Sequence, residues 1–132
     1  MLFLTSVVIA SLFAQEPSVP DRFDLVCTNI RDVLERRSEP KPDLRFRVDL
    51  VDSRYCVGSC VDVRRLTIYA DTLVFTQTDL AAGAPIAARQ SVDRHTGEYA
   101  LAIIQNGRLT QDDRGSCAVA PYTGTIRGER LF

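Results

Sequence analysis

IAARQSVDRHTGEYALAIIQNG, residues 86–107, is the stretch whose reading decides the fold. Two runs of alternating side chains, Ile86 to Val92 and Glu98 to Gln105, flank Asp93-Arg94-His95-Thr96-Gly97, and Asn106-Gly107 follows the second run at once. A period of two marks a half-buried strand, because successive side chains point to opposite faces. Gly97 is free to take the positive φ that a compact hairpin loop demands, and Asn-Gly is the strongest two-residue hairpin signal. Three antiparallel strands in succession are therefore predicted, with Tyr99, Leu101 and Ile103 on the inward face of the middle one. The third holds Cys117 and Val119 and closes at Ala120-Pro121.

The same alternation extends toward the N-terminus. Phe23, Leu25 and Cys27 share one face over Arg22 to Thr28; Phe46, Val48 and Leu50 oppose Arg45, Arg47 and Asp49 over Arg45 to Val51. Leu66 and Ile68 mark Arg64 to Ala70, and Leu73 and Phe75 mark Thr72 to Gln77. Breaks fall where turn chemistry predicts them: at Ser38 to Asp43 with its two prolines, at Asp52-Ser53-Arg54, at Asp71 and at Ala81-Ala82-Gly83-Ala84-Pro85. Asn29 to Arg37 reads two ways. Ile30, Val33, Leu34 and Arg37 fall at helical spacing with Asn29 as an N-cap, yet so short a helix is marginal, which favours strand plus loop. Seven or eight short strands at intervals of about ten residues predict an all-β domain, an antiparallel meander forming a barrel or a sandwich.

The first residues read differently. Met1 to Phe13 is almost wholly apolar and carries no charged side chain, too short for the roughly 20 residues of a spanning helix. With small Ala14 before Gln15-Glu16-Pro17, residues 1–14 read as a signal peptide, 15–21 as a flexible lead-in and 22–132 as one β domain. The first cysteine is Cys27, so a lipidated N-terminal cysteine is not expected. The product is expected to be exported, in the periplasm or outside the cell, with no stable membrane insertion after cleavage.

Four cysteines behind such a leader favour disulfides. Three pairings are possible. Cys56 and Cys60 can close a tight local loop, which leaves Cys27 near the start of the domain for Cys117 near its end. The chain-entropy relation gives roughly 4–5 kcal/mol for the long loop and about 2 for the short one. A four-cysteine zinc site fits poorly, since the only close pair has three residues between its members.

Formal net charge is −1, which carries no nucleic-acid footprint, and Lys41 is the only lysine beside fifteen arginines. His95 is the only histidine and has Asp93 two residues before it, but it lies in a predicted hairpin turn with no serine or cysteine tied to it. Asp112-Asp113 lacks the spacing of a zinc-protease or calcium-loop motif, and no phosphate-binding glycine loop or nucleophile elbow is present. The doublets Arg36-Arg37 and Arg64-Arg65 have no aromatic stacking platform nearby and read as surface. Tyr55 to Cys60 is the most distinctive local feature; flanking strands and the wide cysteine spacing make it a structural clip rather than a redox pair. No catalytic, cofactor or metal residue is expected.

Taken in order, Phe23-Asp24-Leu25-Val26-Cys27, Arg47-Val48-Asp49-Leu50, Tyr55-Cys56 with Cys60, Asp93-Arg94-His95-Thr96-Gly97, and Gly115-Ser116-Cys117 with Pro121-Tyr122 resemble a group of small exported proteins of proteobacterial type. The resemblance spans most of the mature chain. It implies an independent exported domain whose four cysteines belong to the framework, and it brings no activity, cofactor or catalytic residue with it. The expected function is a non-catalytic binding or interaction domain, its partner a small ligand or an envelope protein. The alternatives are an inhibitor of a secreted hydrolase, inserting the cysteine loop or the Ala81–Pro85 loop into a cleft, and a hydrolase with His95 as its acid–base group.

Overall fold

In the computed structural model the alternating segments become β1 (Arg22–Asp32), β2 (Leu44–Asp49), β3 (Arg54–Val57), β4 (Arg64–Arg65), β5 (Thr67–Ile68), β6 (Thr72–Thr78), β7 (Ile86–Asp93), β8 (Glu98–Gln105) and β9 (Arg108–Ala120). The structure describes residues 20–78 and 85–124; the expected leader, all but the end of the lead-in and most of the Ala81–Pro85 loop lie outside them. Every paired neighbour is antiparallel, in the order β4-β3-β2-β1-β9-β8-β7-β6-β5. β4 and β5 stand at opposite ends of that order, yet only Leu66 separates them in the chain. The two edges of the sheet are thus one bent strand that changes partner at a single residue. Counted that way, eight strands form an up-and-down barrel, and the choice between barrel and sandwich falls to the barrel. Leu66 is buried, and its backbone N–H donates to the Ser53 carbonyl at 2.8 Å.

Of the two readings of Asn29 to Arg37 the structure takes strand plus loop: β1 runs on to Asp32, where Asn29 adopts a φ of 53° and throws a bulge between Thr28 and Arg31, after which pairing with β9 resumes. Val33 and Leu34, half of the apparent helical stripe, are exposed. The strand expected over Arg45 to Val51 stops at Asp49, whose carboxylate accepts the backbone N–H groups of Val51 and Asp52 and so turns the chain. Asn106 and Gly107 both take positive φ, 50° and 76°, as a two-residue hairpin matched to strand twist requires.

Four aromatic rings plug the barrel. Phe46 stacks on Phe75 with centroids 4.2 Å apart, Tyr55 meets Phe75 edge-on at 4.8 Å, and Tyr99 lies 6.4 Å from Phe46. Phe23, Leu25, Ile30, Val48, Leu66, Leu73 and Val92 complete the core. Eight strands enclose just enough room for side chains, and here the side chains use it. Tyr99 faces inward as expected, and Leu101 packs against this core.

Both expected disulfides are formed. Cys27 and Cys117 sit directly opposite one another in the β1–β9 ladder, the pairing that closes the ring, and bridge 90 positions of sequence. Cys56 and Cys60 clip the loop after β3 and carry Val63 and Tyr122 packed against them. Where β1 bulges, β9 has Gly115: a Cβ there would stand 2.8 Å from Ile30 Cγ1 and 2.9 Å from the Thr28 carbonyl oxygen. Only a glycine lets the bulge put Ile30 into the core.

The outer wall over β1, β2 and β3 is charged and strapped. Asp24, fully buried, accepts the Arg45 Nε–H at 2.6 Å, the Thr123 hydroxyl at 2.6 Å and the Thr123 backbone N–H at 3.3 Å. Asp49 pairs with Arg22 at 3.2 Å and Arg54 at 3.7 Å. After β9 the chain therefore turns back across this wall, held at Thr123 by a carboxylate and at Tyr122 by the clipped disulfide.

Candidate functional site at the split mouth

The ends of β1, β3, β6 and β8 and the starts of β2, β4, β7 and β9 lie at one mouth of the barrel. The wall there is incomplete. β4 pairs only with β3, and β5 reaches β6 only through Thr67–Val74 and Ile68–Leu73. Above Leu66 no ladder joins β4 to β6. A bulge between Val74 and Thr76 accompanies the gap, and the Phe75 carbonyl accepts the Tyr55 hydroxyl at 2.8 Å, with Thr76 Oγ1 3.3 Å from the same hydroxyl. One tyrosine side chain thus stitches the seam where backbone pairing stops.

Over this stitch lies a recess of about 320 Å³. The clipped loop and β4 contribute Val57, Ser59, Val61, Asp62 and Arg64 to one wall; β6 and β7 contribute Thr76 and Gln90 to the other, with Tyr55 between. Gln90 Nε2 donates to the Tyr99 hydroxyl at 2.9 Å, which leaves the amide oxygen as an acceptor. Burial pushes the Tyr99 hydroxyl above its ordinary pKa against the pull of that hydrogen bond, and the Asp113 charge adds to the rise. The loop wall is rigid for a covalent reason: the Cys56–Cys60 bridge spans four positions, and Gly58 and Cys60 take φ values of 59° and 58° within it.

Elsewhere on the rim, Lys41 reaches from the loop between β1 and β2 to the buried Asp113 carboxylate, with Nζ 2.9 and 2.8 Å from its two oxygens. Gln111 Nε2 donates to the same carboxylate at 2.8 Å. The single lysine is therefore committed to a structural pair that pins the loop to β9. Asp32, opposite Asp113 in the ladder, accepts the backbone N–H groups of Leu34 and Asp112. Asp112 itself pairs with Arg114.

At the far end Asp93 closes β7 and His95, exposed, lies in the turn that leads to β8. The Asp93 carboxylate accepts the backbone N–H groups of His95 and Thr96 at 2.8 and 2.9 Å, and these bonds hold it below the usual carboxylate range. It organises the turn rather than the imidazole. Gly97 completes that turn, since a Cβ on it would stand 2.5 Å from the Cys117 carbonyl oxygen. Among the described residues no three histidine, cysteine, aspartate or glutamate side chains converge as a metal site. A second depression, also about 320 Å³, lies on the outer wall over Ser91, Ala100 and Ala102, but the Arg114 beside it is tied to Glu98 and Asp112.

Arg64-Arg65 reads as a surface doublet, and both side chains are exposed. What the sequence reading missed is that Arg64, in the same alternation phase as Leu66 and Ile68, lines the recess at the mouth. The register agrees, pairing Arg64 with inward Tyr55. The chain matches no protein-family model, no curated protein and no solved structure.

Acid should loosen the strap before the core. Burial alone would raise the Asp24 carboxyl, but the bonds from Thr123 and Arg45 and the Arg45 charge hold it below its ordinary value; at Asp49 burial is likewise outweighed, by the Asp52 amide and Arg22. A depressed folded-state pKa contributes stability above the ordinary value of about 4 and loses it as pH falls through the folded value. Asp24→Asn should lower stability at pH 7 by about 1.5–3 kcal/mol, the range for hydrogen bonds to a charged group. Urea midpoints of the two proteins should converge as pH falls below about 4; a constant gap would show that Asp24 does not carry the effect.

Proposed function

We propose that this chain is a non-catalytic exported binding module that engages its partner, an envelope protein or a small ligand, with the split mouth of the barrel. The carrying observation is the recess between the disulfide-locked loop and bulged β6. Exposed apolar side chains ring the same end: Val33 and Leu34 after β1, Val57 at the end of β3 and Val61 beyond it, Ile86 on β7 and Leu109 on β9. Every hairpin of that mouth thus presents a branched apolar group around polar lining, the pattern of a contact surface. A wall locked by a disulfide loses little conformational freedom on binding. Export is supported by the two disulfides, the cysteine usage of an oxidising compartment, by the apolar first residues and by the resemblance to exported proteobacterial proteins.

One observation favours a narrower second reading, inhibition of a secreted hydrolase: Val61 is 81% exposed beside the short covalent loop, a stiff projection suited to an enzyme cleft. A single comparison tests the surface. Immobilised wild type, Val61→Asp and the far-end control Val119→Asp are exposed to the same envelope extract. Partners held by wild type and the control but lost from Val61→Asp support the mouth; equal retention by all three overturns it. Inhibition of a protease or lysozyme panel, lost in Val61→Asp, would select the narrower reading.

A further inference from the structure

We propose that the mouth recess is a carboxylate site, with Arg64 as its anchoring group; the inference rests on the reading of the mouth as the binding surface and names the chemistry it recognises. Five cations of the barrel wall are held in ion pairs: Arg22 and Arg54 to Asp49, Arg45 to Asp24, Lys41 to Asp113, Arg114 to Glu98 and Asp112. Arg64 lines the recess from an inward strand position and has no acceptor among the described residues. Asp62 lines it too, and no ion pair joins the two. A guanidinium is a fork of five donors with no acceptor, matched to the two oxygens of a carboxylate.

The surroundings complete the match. Ser59 and Thr76 bring hydroxyls, the Gln90 amide oxygen is open to an N–H, and Val57 and Val61 offer an apolar lip. A recess of about 320 Å³ sits at the small end of ligand pockets and has room for an acylated amino acid or an acid monosaccharide. Tyr55 is buried in the core and presents no ring face, so stacking of a neutral sugar is not the recognition mode.

The test is a chemical-shift titration of the whole ¹⁵N-labelled protein with three probes: N-acetyl-alanyl-alanine, its C-terminal amide, and glucuronate. Saturable shifts confined to residues around Tyr55–Arg65, Thr76 and Gln90, sparing the Asp93–Gly97 turn, are expected from a carboxylate probe and not from the amide. Response to the free dipeptide identifies a peptide terminus as the source, and response to glucuronate an acid sugar. Arg64→Gln, which removes an exposed group without a partner, should melt as wild type and bind about tenfold or more weakly. Unchanged affinity in Arg64→Gln, equal response to the amide, or no response to any probe each overturns the carboxylate site. None of these bears on the Val61 comparison, which decides the underlying reading by itself.

Discussion

Replacing Cys27 and Cys117 together by alanine is expected to lower stability by about 4–5 kcal/mol, read as a fall in the urea midpoint with a steeper slope, because the unbridged unfolded chain exposes more surface. The bridge encloses 90 positions of sequence, so its removal frees most of the chain's unfolded ensemble. A domain of this size has only about 5–15 kcal/mol in total, so the loss takes up a large share of it. Removing Cys56 and Cys60 instead should cost about 2 kcal/mol, because the closed loop is short. If the long bridge proves to be worth less than about 1 kcal/mol, the β1–β9 ladder closes the ring unaided.

Phe46→Ala is the second large effect, expected at about 3–5 kcal/mol. Phe46 is fully buried, and its ring lies within 6.4 Å of those of Phe75, Tyr55 and Tyr99. Truncation removes both the buried area and the contacts of the remaining rings, and the hydrogen-bonded walls limit how far the barrel can collapse into the void. Phe46→Leu, which keeps much of the volume, should recover more than half of the loss. Equal losses for the two variants would mean that ring stacking, rather than filled space, holds the centre.

How much of this was legible in the letters depends on what each feature rests on. Alternation is local, so β1, β6, β7, β8 and β9 were readable within a few residues, and the Asn106-Gly107 turn directly. The cysteine pairing followed from one short spacing and elimination. What stayed hidden was set by distant partners. Arg64 to Ala70 looks like one continuous strand, and nothing within it shows that it changes neighbour at Leu66. The Asn29 bulge is legible only beside Gly115, since the space left by the missing Cβ is what admits Ile30. Asp24 and Asp49 read as ordinary outward charges because the strap that buries Asp24 arrives 99 positions later. The candidate mouth was missed for the same reason: its lining gathers from β3, β4, β6 and β7, and no single stretch carries the pattern.

The first and last strands being neighbours has a bearing on how such a molecule comes into being. A chain emerging N-terminus first, across a membrane or from a ribosome, can form hairpin after hairpin, but each partial meander keeps two raw borders of unsatisfied amides until β9 arrives. Completion is therefore an event of the whole length, slow as distant pairings are, and the half-made meander is the form most exposed to sticking to its own kind.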